Sequence, residues 1–119
     1  MAGNITESNA LAQFSKAIGL IGGYSEETAA GTFTLDGTYG NVAGIDAGGA
    51  GRTVLLQAEA DSAGRLQVIV NRSDAAEDLT VKEDSSTTTI GTVSQNELGI
   101  FWCDGTTWDL VALVTIALS

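Results

Sequence analysis

The chain has 119 residues, with 15 acidic and 5 basic side chains, no His and a single Cys. Its formal net charge of −10 argues against a nucleic-acid partner, because DNA and RNA binding rests largely on Lys and Arg side chains that neutralise phosphates. Without His there is no Ser-His-Asp or Cys-His catalysis, and one Cys allows neither an intrachain disulfide nor a cysteine-cluster zinc site, so we expect no enzyme activity and no cofactor.

Residues 1–30 have a helical period. Apolar side chains recur there at spacings of three and four: Leu11, Phe14, Ile18 and Ile21. Thr6 or Ser8 could cap this segment, and Gly22-Gly23 would end it. We expect a short helix or an arm that folds on docking, since an isolated helix of about a dozen residues is marginal in water. Its apolar stripe packs either on its own domain or on a partner.

Residues 31–119 form the predicted β domain. Turn residues separate short runs rich in Val, Ile and Thr. The predicted strands span residues 31–35, 38–45, 52–60, 64–72, 78–83, 86–93, 97–104 and 107–118. About eight strands with short turns and no helical crossover predict a single all-β domain, a mainly antiparallel sandwich or barrel.

The composition predicts a subunit interface. Only 17% of residues are charged and the mean hydropathy is +0.17, whereas ordinary soluble domains carry about 25% charged residues. The longest apolar run, residues 108–118, is shorter than the roughly 20 residues that a transmembrane helix needs. No basic residue precedes an apolar stretch at the N-terminus, so a signal peptide is not expected either. The excess apolar surface is therefore expected between subunits, not in a membrane.

Several strands carry apolar residues on both faces, and this indicates which side chains form the interface. A strand that is apolar on both faces must be covered on both. The residues assigned to the second faces, and hence to the oligomer interface, are Leu55, Ile69, Phe101, Val111 and Leu113. The alternative is that the N-terminal helix covers these faces.

Three segments look like chemical sites but are better explained by structure. Residues 46–53 approach a phosphate-binding loop, yet they lack its first Gly and its Lys, so we interpret them as a glycine-rich surface loop. The acidic residues between 74 and 84 do not have the spacing of a calcium-binding EF-hand loop and are expected to be solvated, without a metal. Cys103 has no basic residue near it in sequence and is predicted to be a small buried hydrophobe.

The segment from Phe101 to Trp108 predicts a tight hairpin. Asp104 tolerates the left-handed backbone region and Gly105 supplies a positive φ, so this pair is expected to reverse the chain. Trp102 and Trp108 would then lie on paired strands and contact each other across the ladder or along a shared core.

Three segments carry a resemblance to a known family: Leu79–Lys82, Thr89–Val93 and Phe101–Trp108. Together they resemble small β domains in the virion proteins of tailed bacteriophages, especially trimeric capsid decoration (cement) proteins. The resemblance covers roughly residues 31–118 and is strongest from 64 to 108. The last segment is also similar to hairpins of the form F-x-C-D-G-x-x-W in phage tail-fibre and tail-tip modules.

The resemblance implies a homotrimer that binds the major capsid protein on the outer capsid surface and stabilises the shell. It also implies that the N-terminal stripe is a capsid-binding arm. Two alternatives remain open, a receptor-binding module at the phage tail and a small lectin-like carbohydrate-binding domain. The second would need exposed aromatic side chains above polar loops.

Overall fold

The computed structural model describes residues 23–37 and 39–116, which form two β-sheets. The strands are β1 (Tyr24–Thr28), β2 (Phe33–Thr34), β3 (Val42–Asp46), β4 (Arg52–Leu55), β5 (Leu66–Asn71), β6 (Leu79–Lys82), β7 (Thr89–Val93), β8 (Glu97–Cys103) and β9 (Trp108–Thr115). One sheet has five strands in the order β1-β3-β5-β8-β9, and the other has four in the order β2-β4-β6-β7. A short 3-10 helix, Glu59–Asp61, lies between β4 and β5. The all-β prediction is confirmed for this part of the chain.

The first six strands alternate between the two sheets. β1, β3 and β5 run parallel in the five-stranded sheet, and β2, β4 and β6 run parallel in the four-stranded sheet. Parallel neighbours need a crossover connection, and each crossover here contains a strand of the opposite sheet. The remaining pairs are antiparallel: β7 pairs with β6 in the four-stranded sheet, and β8 pairs with both β5 and β9 in the five-stranded sheet. The sheets are therefore mixed, and the prediction of a mainly antiparallel fold is wrong, because most short turns lead to the opposite sheet.

The strand count and the barrel alternative also differ from the prediction. The described residues contain nine strands, because β1 pairs with β3 although it lies inside the segment 1–30 predicted as an arm. The edge strands of each sheet do not pair with each other, so these residues form no closed barrel. The stripe predicted for the arm lies outside the described residues: Leu11, Phe14, Ile18 and Ile21.

One hydrophobic core lies between the inner faces of the two sheets. The five-stranded sheet contributes Ile45, Ile69 and Phe101, and the four-stranded sheet contributes Val54 and Val81, all with no exposed surface. β7 packs across the gap: a Cβ added at Gly91 would lie 3.5 Å from Phe101 Cε2. Because the inner faces are filled by this core, any further apolar surface must lie on the outer faces or at the edges.

Ile69 and Phe101 are predicted at an oligomer interface, and the structure corrects both residues. Each is 0% exposed and belongs to the core of its own chain. The reason is that two polar residues, Gln67 and Asn71, are buried on the same side of β5, with exposures of 2% and 0%. Sequence alternation assigns that side to the solvent. The Gln67 amide is instead satisfied inside the fold, where its Nε2 donates to the Asn41 carbonyl at 3.2 Å.

Candidate functional site: an apolar sheet face

The outer side of the five-stranded sheet is lined by apolar side chains from four strands. Register places Val42 beside Val68, Val68 beside Ile100 and Ile100 beside Ala112, so one apolar row crosses β3, β5, β8 and β9. Neighbouring rows extend the same surface in both directions along the strands. We name it the apolar face, and it consists of Val42, Leu66, Val68, Val70, Leu98, Ile100, Trp102, Ala112 and Val114.

The outer side of the four-stranded sheet has the opposite character. Its central row pairs Thr53 with Thr80 and Thr80 with Thr92, and all three side chains are half-buried. Polar residues on an outer face are what a solvated sheet normally shows. The two outer faces therefore differ in chemistry, and only the apolar face requires a cover.

The apolar face is accessible within the described structure except at Val70, which is only 8% exposed. Trp102 is 40% exposed and Val114 is 45% exposed, while Val68, Ile100 and Ala112 in the central row are half-buried. β7 packs against the inner side of this sheet, and no described strand lies over its outer side. Soluble monomers rarely leave a contiguous apolar patch of this kind uncovered.

Polar groups border the apolar face. At its β1 side, Arg72 Nε lies 3.2 Å from Glu26 Oε2, and the Tyr24 hydroxyl donates to the same oxygen at 2.6 Å. At its other end, the exposed Asp109 pairs with Trp102 across β8 and β9. An apolar centre with a polar rim is the usual anatomy of a protein interface.

The predicted hairpin is confirmed, and it joins β8 to β9. The Asp104 amide donates to the Thr107 carbonyl at 3.2 Å, and Asp104 Oδ1 accepts the Thr106 and Thr107 amides at 2.8 Å. These amides lower the pKa of the Asp104 carboxyl, the Thr107 amide most. Gly105 has a φ of +98°, as its position in the turn requires.

The two tryptophans of the hairpin do not share a core. Trp108 pairs with Cys103 on the inner side and is 4% exposed, whereas Trp102 points to the outer side. Neighbouring residues of a strand face opposite ways, so rings at these two positions lie on opposite sides of the sheet. The expectation of a contact between them is wrong, and Trp102 belongs to the apolar face.

The remaining predicted interface residues lie in two places. Val111 and Leu113 lie on the edge strand β9 and are 59% and 42% exposed. Leu55 is half-buried on the outer side of the four-stranded sheet, beside Lys82. Leu66, Val68 and Val70 were missing from the predicted interface. The signal that could have found them is the uniform apolar character of that side of β5, read together with the buried Gln67.

Neither the glycine-rich loop nor Cys103 forms a reactive site. The loop within residues 46–53 connects the end of β3 directly to the start of β4, and a Cβ at Gly48 would lie 2.5 Å from the Ala29 carbonyl oxygen. Close backbone approach therefore explains this glycine. Cys103 is 0% exposed, as predicted, and burial raises the pKa of its thiol. A buried thiol of raised pKa is a poor nucleophile.

Two groups of carboxylates could hold a hard cation. One comprises Asp46, Asp74 and Glu77, and the other Glu59, Glu83 and Asp84, with the carboxylate oxygens of each group within 4.8 Å of one another. Such oxygens are the ligands that Ca²⁺ takes in proteins. The Glu83 carboxylate already accepts hydrogen bonds at Oε1 from Ser85 Oγ at 2.6 Å and from the Thr87 amide at 2.7 Å. The expectation of no bound metal stays a prediction.

The Glu83 carboxylate organises the turn between β6 and β7, and this gives stability a pH dependence. Hydrogen bonds, led by that from Ser85, lower the pKa of Glu83 from 4.5 to about 2. A carboxyl whose pKa is lowered by folding contributes its stability above its unfolded pKa and loses it as pH falls towards the folded pKa.

We expect Glu83→Gln to be less stable than the wild type at pH 6, with the difference in unfolding free energy vanishing between about pH 4.5 and 2. Urea unfolding at a series of pH values measures this. Ser85→Ala, which removes the leading hydrogen-bond donor to Glu83, should weaken the same trend, and a Glu83→Gln variant as stable as the wild type at pH 6 would contradict the assignment.

Comparison of the chain with protein-family models, curated proteins and solved structures finds no match. Among residues 23–37 and 39–116, no helix has the length and apolar character needed to cross a membrane.

Proposed function

We propose that the chain is a structural virion protein that binds the outside of a phage capsid as an oligomer, a homotrimer, and stabilises the shell. The observation that carries this proposal is the apolar face on a chain of net charge −10. An uncovered apolar surface on an otherwise acidic protein is suited to assembly. The resemblance of the Phe101–Trp108 hairpin and its neighbouring strands to capsid decoration proteins supplies the partner, the major capsid protein.

The same proposal includes the arrangement of the two sheets and the role of the N-terminal segment. We regard the two sheets as the layers of a β-sandwich, which is supported by the single core that both inner faces share. A layered β unit of this kind gives a rigid body that can sit on a shell. The N-terminal stripe then reaches the coat protein, and several linked arms per oligomer multiply the affinity of one arm.

Location on the particle tests the proposal first. Purified virions of the phage that carries this gene are labelled with an antibody to the chain and imaged by immunogold electron microscopy. Label over the icosahedral shell supports the proposal. Label confined to the tail supports the receptor-binding alternative, and particles without label overturn a virion role.

The arm is tested by deletion. Removing residues 2–20 is expected to leave a folded oligomer that no longer binds capsids, because Leu11, Phe14 and Ile18 of the apolar stripe are lost. Binding is measured by co-sedimentation of the purified protein with undecorated shells. Phe14→Ser with Ile18→Ser should reproduce the loss, whereas Gln13→Ser with Lys16→Ser, which are not part of the apolar stripe in the sequence, should not. Normal decoration by the deleted protein would contradict the arm assignment.

One observation favours the carbohydrate-binding alternative. Trp102 and Tyr24 are 40% and 51% exposed on the same side of the five-stranded sheet. Sugar sites combine such rings with several polar groups, whereas Trp102 has Leu66 beside it in the sheet register. Titration of the protein with an array of glycans distinguishes the two roles, and quenching of tryptophan fluorescence by one sugar would favour the lectin.

A further inference from the structure

We infer that the apolar face is the surface through which copies of this chain associate in solution. The inference rests on the proposed assembly role, but it assigns that role to residues that sequence analysis did not select. The central row of the apolar face is Val68, Ile100 and Ala112, and the most exposed residues of the face are Trp102 and Val114.

Charge is the first argument for a second copy as the occupant. None of the side chains of the apolar face is charged, whereas every copy carries a net charge of −10 elsewhere. Like charges brought together in an interface cost several kcal/mol, so copies of an acidic protein associate most readily through an uncharged surface. The charged groups nearest to the face, Glu26 with Arg72 and Asp109, lie at its rim, where water can still reach them.

Charge also argues against a lipid surface. Adsorption to anionic membranes needs Lys or Arg beside the inserted apolar residues. The apolar face contains no basic residue, and Arg72 at its border is paired with Glu26. Asp109 and Glu26 would instead be repelled by anionic headgroups.

Size argues against the N-terminal segment as the whole cover. A helix with its side chains is about 10–12 Å across, and strands lie about 4.8 Å apart, so one helix covers two to three strands. The five-stranded sheet is wider than that, and its apolar residues extend from Val42 on β3 to Val114 on β9. A second sheet face has the required width and flatness, since sheets pack face to face at a separation of about 10 Å.

The β8–β9 side of the apolar face supplies exposed anchor residues. Trp102 and Val114 lie on β8 and on the edge strand β9, and both are accessible without any rearrangement of the described structure. Tryptophan is enriched among the residues that dominate interface energetics. Trp102, which sequence analysis predicts in the hairpin core, is therefore available for contact with a second copy.

The test is the mass of the purified full-length protein in solution, measured by light scattering between 1 and 100 μM, in the micromolar range where weak oligomers dissociate. We expect the wild type to have a multiple of the 12.2 kDa chain mass. Ile100→Glu should weaken association on the order of 100-fold, because each copy would bury an unpaired carboxylate. Val114→Glu, at a 45% exposed position that cannot disturb the core, should do the same if Ile100→Glu fails to fold. Thr80→Glu, in the equivalent central row of the other sheet, is the matched control and should keep the wild-type mass.

Other results overturn the inference. A wild type that is monomeric at 100 μM, or an oligomer that survives both Ile100→Glu and Val114→Glu, would show that copies do not meet here. A monomer that begins to associate after residues 2–22 are removed would identify the N-terminal segment as the cover. These masses are measured without capsids, so they stand or fall independently of whether the protein decorates a shell.

Discussion

Trp108→Ala is expected to lower the free energy of unfolding by about 3–5 kcal/mol, the range for removal of a large aromatic side chain from a core. The ring is 4% exposed in the core between the sheets, and its Nε1 donates to the Gln57 carbonyl at 2.8 Å. This bond ties β9 to the segment that follows β4, so the loss includes a partly buried carbonyl left without its donor. Urea unfolding followed by far-UV circular dichroism measures the change without relying on tryptophan fluorescence.

Two further variants separate the causes of that loss. Trp108→Phe keeps most of the packing but removes the donor, and we expect it to cost about 1–3 kcal/mol. Trp102→Ala removes the same ring from a position that is 40% exposed. In the dissociated chain it should cost less than about 1 kcal/mol, as surface substitutions do. Equal losses at both tryptophans under those conditions would contradict the opposite orientations of the two rings.

Strand positions can be predicted from this sequence because local chemistry fixes them. Runs such as Leu79–Lys82 and Thr89–Val93 are rich in β-branched residues and bounded by turn residues. The turn after β8 is specified by Gly105, which supplies the positive φ, and by Asp104, whose carboxylate accepts the Thr106 and Thr107 amides although its own φ is not left-handed as predicted. There are two exceptions: the predicted strand 52–60 ends at Leu55, before the 3-10 helix Glu59–Asp61, and β1 was not predicted. Its sequence, Tyr24–Thr28, is mostly polar and exposed, and its pairing comes from backbone hydrogen bonding to β3 at the sheet edge.

Which strands pair with each other cannot be predicted from local sequence in the same way. A short turn after β3 leads the chain into the opposite sheet, whereas a turn of similar length after β8 returns it along the same sheet. The choice depends on which distant strand offers an unpaired edge, and no local pattern records that. For instance, β3 and β5 are parallel neighbours that place Val42 beside Val68, although β4, which belongs to the other sheet, lies between them in the sequence.

The candidate site depends on which side of β5 faces the core, and buried amides make that choice. Leu66, Val68 and Val70 form the more apolar side of the strand, yet they face outward. Gln67 and Asn71 face inward because backbone carbonyls satisfy their amides there. Periodicity therefore detects the two faces of β5 but assigns them in reverse. The apolar outer face becomes visible only after the hydrogen bonds of these two side chains are known.

The second large effect is expected at Asn71, whose side chain joins three parts of the fold. Its Nδ2 donates to the Glu77 carbonyl at 2.7 Å and to the Val93 carbonyl at 2.9 Å, and its Oδ1 accepts the Ser73 amide at 2.9 Å. The residue is 0% exposed. Asn71→Leu would leave these three backbone groups without their partner, and each unsatisfied buried group costs about 1–3 kcal/mol. We expect a loss of about 3–6 kcal/mol in urea unfolding, comparable with the whole stability of many domains.

The change in the free energy of unfolding when Asn71 is substituted tests whether hydrogen bonding is the reason that the polar side of β5 is buried. Asn71→Asp keeps the acceptor for the Ser73 amide but sets a buried carboxylate against two carbonyl oxygens, so it should also be strongly destabilised at pH 7. Thr92→Leu, on the outer side of the four-stranded sheet, makes a similar polar-to-apolar change without losing such a network and should stay within about 0.5 kcal/mol of the wild type. If Asn71→Leu were as stable as the wild type, hydrogen bonding would not be what orients β5. The outward position of Leu66 and Val68 would then have to come from the packing of Ile69 alone.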